Sequence, residues 1–142
     1  NSRLDTLQAI VGLHLLDKTV AVTERRIEHA RRLDAGLAPL APRITVPPRR
    51  PGIRHAYLTY VVQAQDRDGL GRFLIERGVE AKVHYPVPVH LQPAAKDLGY
   101  KAGDFPMCER QAREIVTLPA HQYLTLDQLD YVVEQVREFY SR

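Results

Sequence analysis

Leu4, Leu7, Val11 and Leu15 recur three and four residues apart, the spacing that stacks side chains along one face of an α-helix. Ser2, with Asp5 three residues on, is placed to cap this helix through a variant of the capping box. Helical composition continues to about Leu37. This is one long helix, or two in series divided between Thr19 and Thr23, where β-branched residues crowd. An apolar stripe so close to the first residue needs a partner, so the chain is expected to be a piece of a larger protein.

Residues 39–52 hold five prolines and one glycine and read as an extended linker with at most a short edge strand. A compact α/β pattern follows. His55 to Val62 predicts a strand. Asp66 caps a helix through Arg77, with Leu70, Phe73 and Leu74 inward and Gly78 as its stop. Val79, Ala81, Val83 and Tyr85 alternate with Glu80, Lys82 and His84, which predicts a second strand with one polar face.

A short helical turn is expected from Pro93 to Leu98, then a helix opened by Pro106 and running through Glu114. Ile115 to Leu118 predicts a short strand ended by Pro119. Thr125 and Gln128 form a capping box for the last helix, with Leu124 stapled onto Leu129. Leu129, Val132, Val133, Val136 and Phe139 make its buried stripe. The expected fold class is α/β: a long N-terminal connecting helix over residues 1–38, the linker at 39–52, and a small domain over 53–142. Its sheet has roughly three strands covered by helices.

Composition adds limits. The chain has 142 residues, 44% hydrophobic and 26% charged, ordinary for a globular domain with a real core. No apolar run is long enough to span a bilayer, and the cytoplasm is the expected compartment. One cysteine, Cys108, excludes an internal disulfide framework. The net charge of +3 comes with arginines at 25, 26, 31, 32, 43, 49, 50 and 54. Glu24 and Glu28 interleave with them, and Glu28 to Arg32 has the i to i+4 spacing of a solvated helix face. No aromatics alternate with these arginines, so a base-stacking platform is not supported and nucleic acid is not an expected partner.

Candidate chemistry concentrates in residues 84–92, His-Tyr-Pro-Val-Pro-Val-His-Leu-Gln. Pro86 and Pro88 fix φ and withhold two backbone donors, so the chain must leave any sheet there. His84, Tyr85, His90 and Gln92 are thereby carried on a stiff connector, the setting that small-molecule sites use. A turn with two solvated histidines is the plainer alternative. His84, His90 and His121 match no zinc spacing. Cys108 near a helix start is a weak nucleophile candidate. Neither a Walker loop nor Gly-x-Gly-x-x-Gly is present, and capping accounts for Asp104 and Glu109.

Four motifs in order carry a resemblance. These are Asn-Ser-Arg-Leu-Asp-Thr-Leu-Gln-Ala at 1–9, the His-Tyr-Pro loop at 84–92, Gly-Asp-Phe-Pro at 103–106, and Leu-Pro-Ala-His at 118–121 with Leu-Thr-x-x-Gln at 124–128. Together they make the chain resemble the C-terminal part of the DegT/DnrJ/StrS sugar aminotransferases of the type I aminotransferase fold. That resemblance implies pyridoxal phosphate as cofactor and transfer of an amino group from glutamate or glutamine to a nucleotide-linked keto-sugar. It also implies a homodimer with shared sites.

By the same resemblance Asn1 and Arg3 border the cofactor, Arg3 alternatively serving as a structural ion pair. His84 and Tyr85 border the sugar-nucleotide pocket, His90 and Gln92 also contact the substrate, and Tyr85 alternatively fills core. The family's cofactor-anchoring lysine lies upstream of the Asn-x-Arg helix. Lys18, Lys82, Lys96 and Lys101 do not fit its motif, so these residues alone are expected to be inactive. The Lys-x-Gly-Asp-Phe-Pro and His-Leu-Gln-Pro details lean toward members that aminate C3. A dehydratase of the same family, or a non-catalytic interaction module with a ferredoxin-like core, stand as alternatives.

Overall fold

The computed structural model describes residues 3–142. Helix α1 (Thr6–Leu37) is continuous over 32 residues, roughly 48 Å at the standard rise. Its cap is Asp5, whose carboxylate accepts from Gln8 N at 2.8 Å while the Gln8 side chain accepts from Asp5 N at 3.1 Å. Asp5 with Gln8 is a complete capping box, and Ser2, the cap expected from the sequence, lies outside the described residues. No break occurs between Thr19 and Thr23. The hydroxyls of both threonines donate to the carbonyls one turn back, Leu15 and Thr19, which lets β-branched residues sit within a helix.

The sheet has three strands in the order β1 (Ile44–Thr45), β2 (Tyr60–Ala64), β3 (Ile115–Leu118), all antiparallel. Ile44 faces Ala64, Tyr60 faces Leu118 and Val62 faces Val116. Alternation therefore puts Ile44, Tyr60, Val62, Ala64, Val116 and Leu118 on one buried face. Against it pack Leu33 and Leu37 of α1, Leu70 and Leu74 of α2 (Arg67–Glu76), and Leu129, Val132 and Val136 of α4 (Leu126–Ser141). The other face shows half-buried Val61, Gln63, Ile115 and Thr117. Helices α1 and α4 cross closely at Gly36, where an added Cβ would lie 2.7 Å from Val133.

Two expectations of strand placement are corrected. Residues 79–85 do not form a strand. They run extended and meet β3 at one bridge, Lys82 with Thr117, through bonds of 3.2 and 2.7 Å. The amide of Val79 is taken by Leu74 O at the end of α2, and Pro86 and Pro88 stop the ladder on the other side. The third strand is β1, the short edge strand that the proline-rich segment allowed for. The strand expected from His55 begins only at Tyr60, because 55–59 is a tight turn. There His55 Nδ1 accepts from Tyr57 N at 2.9 Å, and Tyr57 takes φ +46°.

The remaining helices match their sequence signals. Asp66 caps α2 by accepting from Gly69 N, and Gly78, at φ +75°, follows its end. Helix α3 (Pro106–Glu114) opens on its proline. The Thr125–Gln128 box caps α4, and Leu124 packs against the core.

Candidate functional site

Thr117 points away from the core because Val116 and Leu118 point into it. Its hydroxyl lies 3.1 Å from His84 Nδ1, which fixes the imidazole over the open face of the sheet. The Tyr85 ring meets the His84 ring edge-on, with centroids 5.9 Å apart, and Tyr85 is 70% exposed. From there residues 85–94 fold into a self-braced loop. Gln92 Nε2 donates to Val87 O at 3.1 Å, Leu91 N to Pro88 O and Gln92 N to Val89 O. Tyr85, Pro86, Val87, Gln92, Pro93 and Ala94 line an open groove of about 480 Å³.

His90 turns inward. Its side chain is 8% exposed, and Nε2–H donates to Glu109 Oε1 at 3.1 Å, which places the proton on Nε2. Its ring packs on Phe105, and Phe105 packs on Tyr100. The same Glu109 oxygen also accepts from Gly103 N at 2.8 Å and from Phe105 N at 3.4 Å. These donors hold the Glu109 carboxyl below the ordinary glutamate range, the Gly103 amide foremost, with His90 and Phe105 N adding to it.

Of the residues singled out in the sequence, His84, Tyr85, His90 and Gln92 share this one loop. His84 and Tyr85 face outward, while His90 and Gln92 are engaged within the structure. His121 lies apart, in the turn after β3, where its Nδ1 accepts from Tyr123 N. Its carbonyl accepts from Nδ1–H of the fully buried His29 at 3.1 Å. Arg3 is exposed at the start of α1, and Asn1 lies outside the described residues. Sequence reasoning did not single out Thr117, and it assigned Glu109 to capping alone. Thr117 was findable from the alternation of Ile-Val-Thr-Leu, which sets it on the polar side. Glu109 gave no local sign that it also meets His90, nineteen positions earlier.

The arginines mostly tie elements together. Arg32 makes a bidentate pair with Asp130 of α4, at 2.6 and 2.5 Å, in place of the expected partner Glu28. Arg49 pairs with Asp34 at 2.9 and 2.6 Å, and Arg54 with Glu24 at 2.5 Å. Arg26 reaches Gln122 and the Tyr57 carbonyl. Among the described residues no group of three or more His, Cys, Asp or Glu is arranged to hold a metal. Nor is any described helix long and apolar enough to cross a membrane.

The described residues do not by themselves fit pyridoxal phosphate. Lys18, Lys82, Lys96 and Lys101 are all exposed, and Lys82 pairs with Glu80 at 2.5 Å. A lysine that anchors such a cofactor is desolvated in a pocket.

The amino-acid sequence is similar to known proteins over nearly its whole length. It is 38% identical over 144 residues to a pleiotropic regulatory protein of Geobacillus stearothermophilus, covering 99% of this chain and 38% of that protein. It is 36% identical to the dTDP-3-amino-3,4,6-trideoxy-alpha-D-glucose transaminase of Streptomyces venezuelae, over 100% of this chain and 37% of that enzyme. The fold superposes on the crystal structure of S. venezuelae DesV with a TM-score of 0.94 at 36% identity, across 100% of this chain and 38% of that one. The chain thus spans less than two fifths of the length of these relatives. Residues 1–137 match the DegT/DnrJ/EryC1/StrS aminotransferase family, and the chain belongs to that family.

Proposed function

We propose that this chain is the C-terminal part of a pyridoxal-phosphate-dependent aminotransferase that passes an amino group from glutamate or glutamine to a nucleotide-linked keto-sugar. In that enzyme the loop after residue 83 walls the sugar side of the site. The observation that carries this reading is the contrast within the loop: its frame is braced throughout, yet Tyr85 at its rim is left 70% exposed. A rigid loop that presents a free aromatic ring beside a fixed imidazole has met its ordering cost before any ligand arrives. Tyr85 then packs on the sugar, and His84, held by Thr117, hydrogen-bonds one of its hydroxyls.

The rest of the site combines Arg3, which borders the cofactor from the start of α1, with groups outside the described residues, among them the lysine that anchors the cofactor in the upstream part of the protein. Pyridoxal phosphate, when bound there, supplies the electron sink that amine transfer needs. Relatives named for 3-amino sugars support amination at C3. The first half of α1 is apolar on two sides, Leu7, Val11 and Leu15 on one and Leu13, Leu16 and Val20 on the other, all exposed. A helix of that kind is buried from two directions, here by the upstream domain and by a second subunit of a homodimer.

The test is an amino-transfer assay on the full-length enzyme with a nucleotide-linked 3-keto-sugar and glutamate. Tyr85→Ala should raise the KM for the sugar about tenfold, the size of one lost ring contact. Absence of transfer in the unaltered enzyme, or an unchanged KM in the variant, would overturn the reading. The 142 residues alone should give no absorbance band between 320 and 450 nm with added pyridoxal phosphate.

A further inference from the structure

We infer that His90 and Glu109 form a latch that positions the loop bearing His84 and Tyr85, and that both are positioning residues for the nucleotide-sugar site rather than groups that touch the sugar. The inference rests on the reading of that loop as the sugar wall. Its physical basis lies in what each side chain touches. His90 is nearly sealed from solvent and Glu109 is only 11% exposed, so neither is presented to a ligand. Between them they join the loop, through the His90 ring, to a stretch up to nineteen residues further on: the turn before α3 through Gly103 N and Phe105 N, and α3 itself through Glu109.

Helix α3 has no capping side chain at Phe105. Glu109 takes over that task by reaching back to the Phe105 amide, as the acidic member of a capping box does. Capping alone would explain two of its three contacts. The third, to His90, caps nothing and holds the loop. Phe105 and Tyr100 stack behind the imidazole and set its ring plane toward the carboxylate. Because the bond is charge-assisted and shielded, it is stronger than a surface pair. Inside the loop, Gln92 does the corresponding work by tying its own amide to Val87 O. Without the latch, the loop loses its tie to α3, and the 3₁₀ turns at Val89–Leu91 and Pro93–Leu98, left to their own short-range bonds, open more often.

The decisive variant is His90→Ala, which leaves the Gly103 and Phe105 bonds to Glu109 intact and so separates latching from capping. In the 142-residue chain, amide exchange at Leu91, Gln92 and Ala95 should quicken at least about tenfold, while Val132 and Val136 of α4 keep their wild-type protection. His90→Gln, which restores an N–H donor, should return the loop toward wild-type exchange. In the full-length enzyme, His90→Ala should raise the KM for the nucleotide sugar about tenfold and leave the KM for the amino donor unchanged.

Unchanged loop exchange in His90→Ala overturns the latch, as does equal loss of protection in α4, which would mark a merely structural residue. A loosened loop with an unchanged sugar KM overturns the positioning role. If His90→Ala does not fold, Glu109→Gln provides the same readouts, since its amide oxygen still accepts from Gly103 and Phe105 but without the charge. A full-length protein that transfers no amino group to any nucleotide sugar would instead sink the functional reading, and the exchange result would stand by itself.

Discussion

The two halves of α1 have one backbone and opposite surroundings. From Leu7 to Val20 its large apolar side chains are exposed, Leu7 at 75% and Leu13 at 69%. From Ile27 to Leu37 the same residue types are buried against α4 and the sheet. Helix propensity is similar along both, and a complete capping box starts the exposed half. The difference therefore lies in packing alone. The second half belongs to the small domain's core, and the first is a rod whose apolar sides are built for surfaces that this chain does not supply.

The largest effect that can break this comparison is core truncation. Leu33→Ala should cost about 2–5 kcal/mol in urea unfolding, whereas Leu13→Ala should stay within about 0.5 kcal/mol of wild type. Equal losses would mean that the first half is packed in solution. Tyr60→Phe sharpens the point from the buried side. The Tyr60 hydroxyl donates to Asp34 Oδ1 at 2.7 Å, and Arg49 holds the same carboxylate. Burial and that acceptor push the Tyr60 pKa well above its ordinary value. Removing the hydroxyl should cost about 1.5–3 kcal/mol, the range for a bond to a charged group, read by the same denaturation. Association tests the exposed half. Replacing Leu7, Val11 and Leu15 together by Glu should weaken self-association of the chain at least about tenfold in sedimentation, with the unfolding free energy little changed.

Local signals in the amino-acid sequence decided most of the fold. Thr125 with Gln128, Asp66 before its helix, Pro106 and the alternation of 115–118 each act within four residues, and each element formed as expected. One strand was misread, although what stops it lies close by in sequence. Residues 79–85 alternate like a strand, yet Val79 N is claimed by Leu74 O and the prolines end the run. Ile44 and Thr45 lie where the proline-rich segment allowed a short edge strand, and they become β1 because the distant Ala64 and Gln63 are there to pair with them. Asp5 with Gln8 was a legible cap that the reading from Ser2 passed over. At the site, the loop and its four polar residues were visible because Pro86 and Pro88 announce it. Which of the four face outward was not, since that depends on Thr117 and Glu109, far away in sequence.

The smallest predicted effect concerns acid, and it compares the braced loop with the helices beneath it. Glu109 has a depressed pKa in the folded chain, so its stabilising contribution is complete above the ordinary glutamate value of about 4.3. That contribution is lost as pH falls through the lower folded value. Asp130 is shifted in the same direction by Arg32 and Glu80 by Lys82, so a lone acid titration of wild type mixes all three. The difference between wild type and Glu109→Gln removes the Asp130 and Glu80 contributions, which both proteins share. The gap between their thermal midpoints should stay constant from pH 7 down to about 5 and narrow as pH falls below the ordinary glutamate value of about 4.3. A gap that does not narrow on acidification would mean that Glu109 acts through shape rather than charge. The brace of the loop would then rest on how closely the carboxyl group fits among Gly103, Phe105 and His90, a fit that the glutamine amide does not reproduce.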